Sequence, residues 1–234
     1  MVTATQATET NQSGNCKINW QAIDTVLLDM DGTLLDLHFD NYFWQTWLPK
    51  RYADIHGLDM DDTLHKLNTQ IESYRGTLQW YCLDFWSETF SVDIPALKKE
   101  VQHKIAYRPH VKEFLTELRQ ANKQIWLVTN AHRDSVNLKI AMTGLDTYLD
   151  KIISSHDFEE PKESIRFWTQ MANQFSFNPA RSLFIDDTVS VLKTAQEFGI
   201  AHLLGIHQPD SQQHRIMEEF PAVHHFDEIL PIVK

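Results

Sequence analysis

The chain has 234 residues, 42% of them apolar, and a formal net charge of −11 from 21 Lys and Arg against 32 Asp and Glu. Such a length and apolar share allow one large core domain plus a smaller insertion. The acidic balance, with no run of basic residues, argues against a nucleic-acid polymer as partner, because an anionic surface repels a phosphate backbone. A small anionic substrate stays compatible with it where a metal and one or two local cations reverse the field.

Residues 1–17 are rich in Thr, Gln, Asn and Ser, with no basic start and no apolar stretch, and read as a disordered tail rather than a signal peptide. No segment reaches the roughly eighteen unbroken apolar residues of a membrane span. No membrane association is expected, and a cytoplasmic location is the default. Cys16 and Cys82 make neither a disulfide framework nor a metal-binding pair, so both read as inert thiols.

The first predicted strand, Thr25–Leu28, runs into Asp29-Met30-Asp31-Gly32-Thr33. Asp is a poor strand former, and burying an unpaired carboxylate costs several kcal/mol, roughly, so a cation is implied. If the strand persisted, Asp29 and Asp31 would point the same way, toward one reacting atom. Gly32 would then let the chain turn close to a ligand. A plain hairpin turn is the competing reading of Asp31-Gly32; three further polar clusters at strand ends weigh against it.

Between this strand and the next lie residues 37–106, far more than a crossover helix needs, and an inserted helical domain is expected there. Aromatic residues crowd it at helical spacings, which mostly signals packing. One or two of them, with Tyr42, Trp44, Trp80 and Tyr81 as candidates, are placed to stack on a flat group such as a base. The core is then residues 18–36 and 107–234.

After Pro109, expected in a first helical turn, Val111, Phe114, Leu115 and Leu118 mark a helix that leads to the strand Gln124–Thr129. Thr129 and Asn130 at its end are either an ordinary Asn turn or an anion site made of a hydroxyl and backbone N–H groups. His132 and Arg133 read as a solvated helix start. The strand Lys151–Ser154 follows, and Lys162 after it would send an ammonium toward the same sheet edge as the Asp pair. Strand Ser182–Ile185 ends in Asp186-Asp187, where adjacent like charges call for a divalent cation, and oxygen ligands suit Mg²⁺. An acidic helix cap at Asp187 is the weaker alternative. A last strand, Ala201–Leu204, follows a helix ending at Gly199. Short apolar strands alternating with helices indicate an α/β fold with a parallel sheet covered on both faces.

Taken in order, Asp29-Met30-Asp31-Gly32-Thr33, Thr129-Asn130, Lys162 and Asp186-Asp187 resemble the signature of the haloacid dehalogenase (HAD) superfamily of phosphohydrolases. Trp20, the run Val26–Asp36, Phe39-Asp40-Asn41-Tyr42-Phe43-Trp44, Trp80-Tyr81-Cys82-Leu83-Asp84, Thr129-Asn130-Ala131-His132 and Phe184-Ile185-Asp186-Asp187 are similar to its bacterial GMP/IMP nucleotidase branch. The resemblance implies a Rossmann-like sheet with the first strand central and a helical cap inserted after it. It also implies Asp29 as nucleophile, Asp31 as general acid and base, Thr129 and the Asn130 backbone on the phosphoryl oxygens, and Lys162 offsetting charge. Mg²⁺ would sit on Asp29, the Asp31 carbonyl, Asp187 and Asp186, the last two with their shares undecided. An acid at position 31 favours phosphate-ester cleavage over dehalogenation, since a departing halide needs no proton. The expected activity is Mg²⁺-dependent hydrolysis of a small phosphorylated metabolite, a purine nucleoside monophosphate. Alternatives are a phosphatase of a sugar phosphate or phosphoglycolate, a phosphomutase, or a non-catalytic pseudophosphatase that senses a ligand.

Overall fold

The computed structural model describes residues 18–233. The tail expected over residues 1–17, Cys16 included, lies outside them. In chain order the elements are β1 (Thr25–Leu28), α1 (His38–Tyr42), α2 (Leu48–His56), α3 (Met60–Glu72), α4 (Leu78–Tyr81), α5 (Leu83–Phe90), α6 (Ile94–Glu100), α7 (Val111–Gln120), β2 (Gln124–Thr129), α8 (Arg133–Thr143), β3 (Lys151–Ser154), α9 (Ile165–Gln174), β4 (Ser182–Asp186), α10 (Val189–Phe198), β5 (His202–Ile206) and β6 (Ala222–Val223). The strands form one all-parallel sheet in the order β3-β2-β1-β4-β5-β6.

The central strands are apolar on both sides, and the pleat sends alternate residues to opposite cores. Val26, Leu28, Ile125, Leu127, Leu183 and Ile185 join Phe114, Leu118 and Phe226 on one face. Leu27, Trp126, Val128 and Phe184 join Phe167, Trp168 and Met171 on the other. This is the Rossmann-like α/β arrangement with β1 inside the sheet. The structure moves the last expected strand to His202–Ile206 and adds β6, whose two residues pair with Gly205 and Ile206. Two residues carry no readable period, which is why the sequence does not show β6. Pro109 precedes α7 by two residues, with His110 in a left-handed conformation at the helix start.

Residues 38–104 supply helices between β1 and the remaining strands, built around a third core of Phe39, Phe43, Leu67, Leu83, Trp86 and Phe90. A π-helical turn, Phe43–Trp47, joins α1 to α2. The wide turn closes with Leu48 N–H donating to Phe43 O, and Pro49, which has no N–H, follows at the start of α2. Both connections to the core are tied down: Asp36 N–H donates to Ala106 O at 2.9 Å and Arg108 N–H to Leu34 O at 3.0 Å. The buried Arg108 guanidinium donates to Gln208 O at 2.7 Å and His224 O at 2.8 Å. Among the described residues no helix is long and apolar enough to cross a membrane.

Trp86 is fully buried, stacks on Phe90 at 5.2 Å and meets Tyr74 edge-on at 5.5 Å. Trp86→Ala is expected to lower unfolding stability by about 3–5 kcal/mol, read as a shift of the urea midpoint.

Candidate active site

Parallel pairing brings the site together. Leu28 of β1 is in register with Leu127 on one side and Ile185 on the other, so Asp29, Thr129 and Asp186 all emerge at one edge of the sheet. Asp29 N–H still donates to Ile185 O at 3.0 Å, which fixes the aspartate where the strand stops. Lys162 arrives from beyond β3 and is buried. Its Nζ donates to Asp29 Oδ1 at 2.6 Å, Asp186 Oδ2 at 2.7 Å and Val128 O at 3.0 Å. Its backbone is clamped as well: its N–H donates to Asn130 Oδ1 at 2.8 Å and its carbonyl accepts from Trp168 Nε1 at 2.9 Å. The Lys162 ammonium is held protonated, because although burial opposes its charge, Asp186 and Asp29 outweigh burial.

Asp29, Asp186 and Asp187 each offer one carboxylate oxygen, the three lying within 4.8 Å of one another, and all three residues are buried. Burial pushes each carboxyl up to about 6; the neighbouring acids add to the rise, while Lys162, and at Asp187 also Arg215, works against it. Three buried like charges sharing one ammonium form a hard oxygen donor set that fits a small divalent cation.

The strand does not persist to Asp31. It ends at Leu28, and a tight loop closed by Gly32 N–H donating to Leu35 O at 2.7 Å carries Asp31 to the same cavity instead. Gly32 has φ +86°, and a Cβ there would lie 2.8 Å from Asp187 Cγ and 2.9 Å from Pro209 Cβ, so only glycine fits. Asp31 Oδ1 lies 2.6 Å from Lys139 Nζ. Burial raises Asp31 to about 6, against the pull of Lys139.

That lysine belongs to a charge chain whose pairing nothing in the sequence showed. Asp40 of α1 accepts from Lys139 Nζ of α8 at 2.7 Å and from Lys98 Nζ of α6 at 2.7 Å. Both ammonium groups are buried. Burial works against ionised Asp40, but the two lysines prevail and hold it down to about 2.

Thr129 Oγ1 accepts the Ala131 N–H at 3.0 Å, which leaves its own hydrogen free to donate. The Asn130 side chain serves the scaffold: besides receiving Lys162 N–H, it donates to Glu163 Oε2 at 2.9 Å. Glu163 Oε1 in turn accepts from Tyr81 OH at 2.8 Å, joining the insertion to the core. Trp44, Trp80 and Tyr81 line the cavity that also contains Asp29 and Asp31. Tyr42 departs from the expectation and is not among the lining residues; its ring packs beside the third core and carries Lys104 Nζ at 4.1 Å. Nor is His132 a solvated residue, since its side chain is 15% exposed and its ring lies 5.0 Å from that of His156. Arg215, Glu163, Lys139 and Lys98 were missed because each is an ordinary surface-type residue in one dimension, with neither motif nor strand end to mark it; Asp40 lies in a stretch that carries the family resemblance, but nothing there gave it a role.

An all-parallel sheet with paired acids after its first strand, a buried lysine from a later turn, a second acid pair after β4 and a helical insertion defines an aspartate-centred hydrolase class. The family model of haloacid dehalogenase-like hydrolases matches residues 23–199, and the chain belongs to that family. It is 40% identical over 215 residues to the GMP/IMP nucleotidase YrfG of Escherichia coli (strain K12), covering 92% of this chain and 97% of that protein. Among solved structures, a HAD phosphatase from Thermococcus onnurineus shares the fold with a TM-score of 0.72 at 20% identity, over 87% of this chain and 94% of that one. The HAD-family protein YfnB from Bacillus subtilis, bound to magnesium, gives 0.63 at 15% identity, over 88% and 96%.

Two outcomes are expected. Since Asp29, Asp186 and Asp187 take up protons as pH falls through about 6, a cation must displace them below that value. Mg²⁺ affinity measured by calorimetry should therefore weaken from pH 7.5 to pH 5.5, by about tenfold per pH unit for each proton displaced. Asp40→Asn leaves Lys98 and Lys139 buried without their shared carboxylate and should cost about 3–5 kcal/mol in chemical unfolding.

Proposed function

We propose that this hydrolase is an Mg²⁺-dependent phosphomonoesterase that removes phosphate from purine nucleoside 5′-monophosphates, GMP and IMP, through an aspartyl-phosphate on Asp29. The observation that carries this reading is one cavity holding both the Asp29/Asp31 pair and the indoles of Trp44 and Trp80. Likeness to the Escherichia coli GMP/IMP nucleotidase supports the same substrate class. Residues 37–106 act as the cap over a core of residues 18–36 and 107–234.

Asp29, Asp186 and Asp187, with the Asp31 carbonyl, are the groups that would hold Mg²⁺. When bound, the ion neutralises the charge of the phosphoryl group and orients it for attack. Asp29 is kept ionised by Lys162 and attacks phosphorus in line, forming the acyl phosphate while the ester oxygen leaves. Asp31 gives its proton to that oxygen, and its raised value near 6 brings a usable protonated fraction close to neutral pH. The resulting carboxylate then takes a proton from water as the water attacks the acyl phosphate, regenerating Asp29 and releasing phosphate. Thr129 gives its free hydrogen, and Asn130 its backbone N–H, to phosphoryl oxygens. Trp80, with the Arg75 guanidinium 5.0 Å over its ring, and Trp44 are placed to stack on a base, with Asn41, Gln45 and Asn68 offering amide groups to its edge.

A panel of phosphate monoesters with Mg²⁺ is the test. GMP and IMP should be turned over, Asp29→Asn should abolish turnover while still binding nucleotide, and Trp80→Ala should raise KM for GMP by about 10-fold, as expected for roughly 1–3 kcal/mol of stacking, with p-nitrophenyl phosphate unaffected. Turnover of sugar phosphates with none of purine monophosphates would refute the nucleotide assignment. No turnover of any ester by the unmodified protein would favour a ligand sensor.

A further inference from the structure

Two histidines and the cysteine read as inert meet at one place. Cys82 stands at the start of α5 in the insertion, His132 immediately before α8, and His156 in the turn after β3. One donor atom from each lies within 4.8 Å of the other two. None of the three lines the cavity that contains Asp29, so this group is separate from the carboxylate centre.

The His156 ring is prepared as a ligand. The Asn130 backbone accepts from it, while its Nε2 is buried and has no hydrogen-bond partner. Nδ1 therefore carries the proton and Nε2 presents a bare lone pair, the arrangement in which a backbone carbonyl orients a metal-binding imidazole. A buried polar atom left without a partner is unfavourable, and a bound cation would relieve it. Cys82 Sγ accepts the Phe85 N–H at 3.5 Å. His132 Nε2 lies 3.5 Å from Asp84 Oδ2, a further carboxylate beside the group.

We propose that Cys82, His132 and His156 bind a transition-metal ion of the Zn²⁺ type, which ties the helical insertion to the loops that follow β2 and β3. One thiolate and two imidazoles make a borderline-soft donor set that suits tetrahedral Zn²⁺ and contrasts with the all-oxygen set at Asp29, Asp186 and Asp187. Metal–ligand distances of about 2.0–2.3 Å put tetrahedral donors roughly 3.3–3.8 Å apart, so side-chain rotations that draw the donors together by about 1 Å close the site. Cys82 follows Tyr81, which already reaches Glu163, so an ion here would reinforce the contact through which insertion and core meet.

Co²⁺ is the probe. In a Cys16→Ser protein Cys82 is the sole thiol. With Mg²⁺ present throughout, one equivalent of Co²⁺ should give thiolate-to-cobalt charge-transfer absorption and d–d bands of tetrahedral intensity, and added Zn²⁺ should bleach both. An oxygen-only site cannot give the charge-transfer band, so Co²⁺ entering the carboxylate centre does not imitate the result. Cys82→Ser, which keeps a good helix cap, should lose the band, and His156→Gln should weaken Co²⁺ binding by about 100-fold or more. Absence of the band in the Cys16→Ser protein, or its survival in Cys82→Ser, overturns the proposal. If the serine variant does not fold, unchanged Co²⁺ affinity in His156→Gln overturns it equally.

Discussion

The buried ammonium of Lys162, bonded at once to Asp29, Asp186 and the Val128 carbonyl, is the contact on which the site depends. Three carboxylates gathered at the end of a parallel sheet repel one another, and burial removes the water that would screen them. One fixed cation lets them stay together while still leaving net negative charge for a second, divalent one. The scaffold serves that contact. Strand register aligns Asp29 with Asp186, Asn130 and Trp168 hold the Lys162 backbone from both sides, and Gly32 leaves room for Asp187 where any Cβ would intrude.

The insertion connects to this centre through charge as well as apolar packing. Asp40 and Lys98 come from its helices, Lys139 from the core, and the chain they make ends on Asp31. Tyr81 and Glu163 make a second link, which runs through Asn130 to the backbone of Lys162. Asp31 and Asp29 are thus each in touch with the insertion by a separate polar route, Asp29 through Lys162. An ion at Cys82, His132 and His156 would add a third, beside the second.

Much of the centre could be read from the chain because strand ends are local. A run such as Leu183-Phe184-Ile185 stopping at Asp186-Asp187 breaks an apolar pattern abruptly, and four such breaks in one order are hard to reconcile with ordinary turns. The insertion announces itself by length. Its interior roles were not readable: Tyr42 and Trp44 are near neighbours in an aromatic run, yet one packs against Lys104 and the other lines the cavity, and a π-helical turn between α1 and α2 shifts the faces in a way no regular period foretells.

Sequence alone pointed to the α/β class and singled out Asp29, Asp31, Lys162, Asp186 and Asp187 as candidates, because each stands out against neighbours a few residues away; the central place of the first strand came only from the family resemblance. Tertiary structure decided the partners of Asp31, the restraint on Lys162, and the meeting of Cys82 with His132 and His156. Those contacts join residues tens of positions apart, and whether a lysine or histidine is solvated or buried against charge is a property of packing that no short stretch of chain encodes.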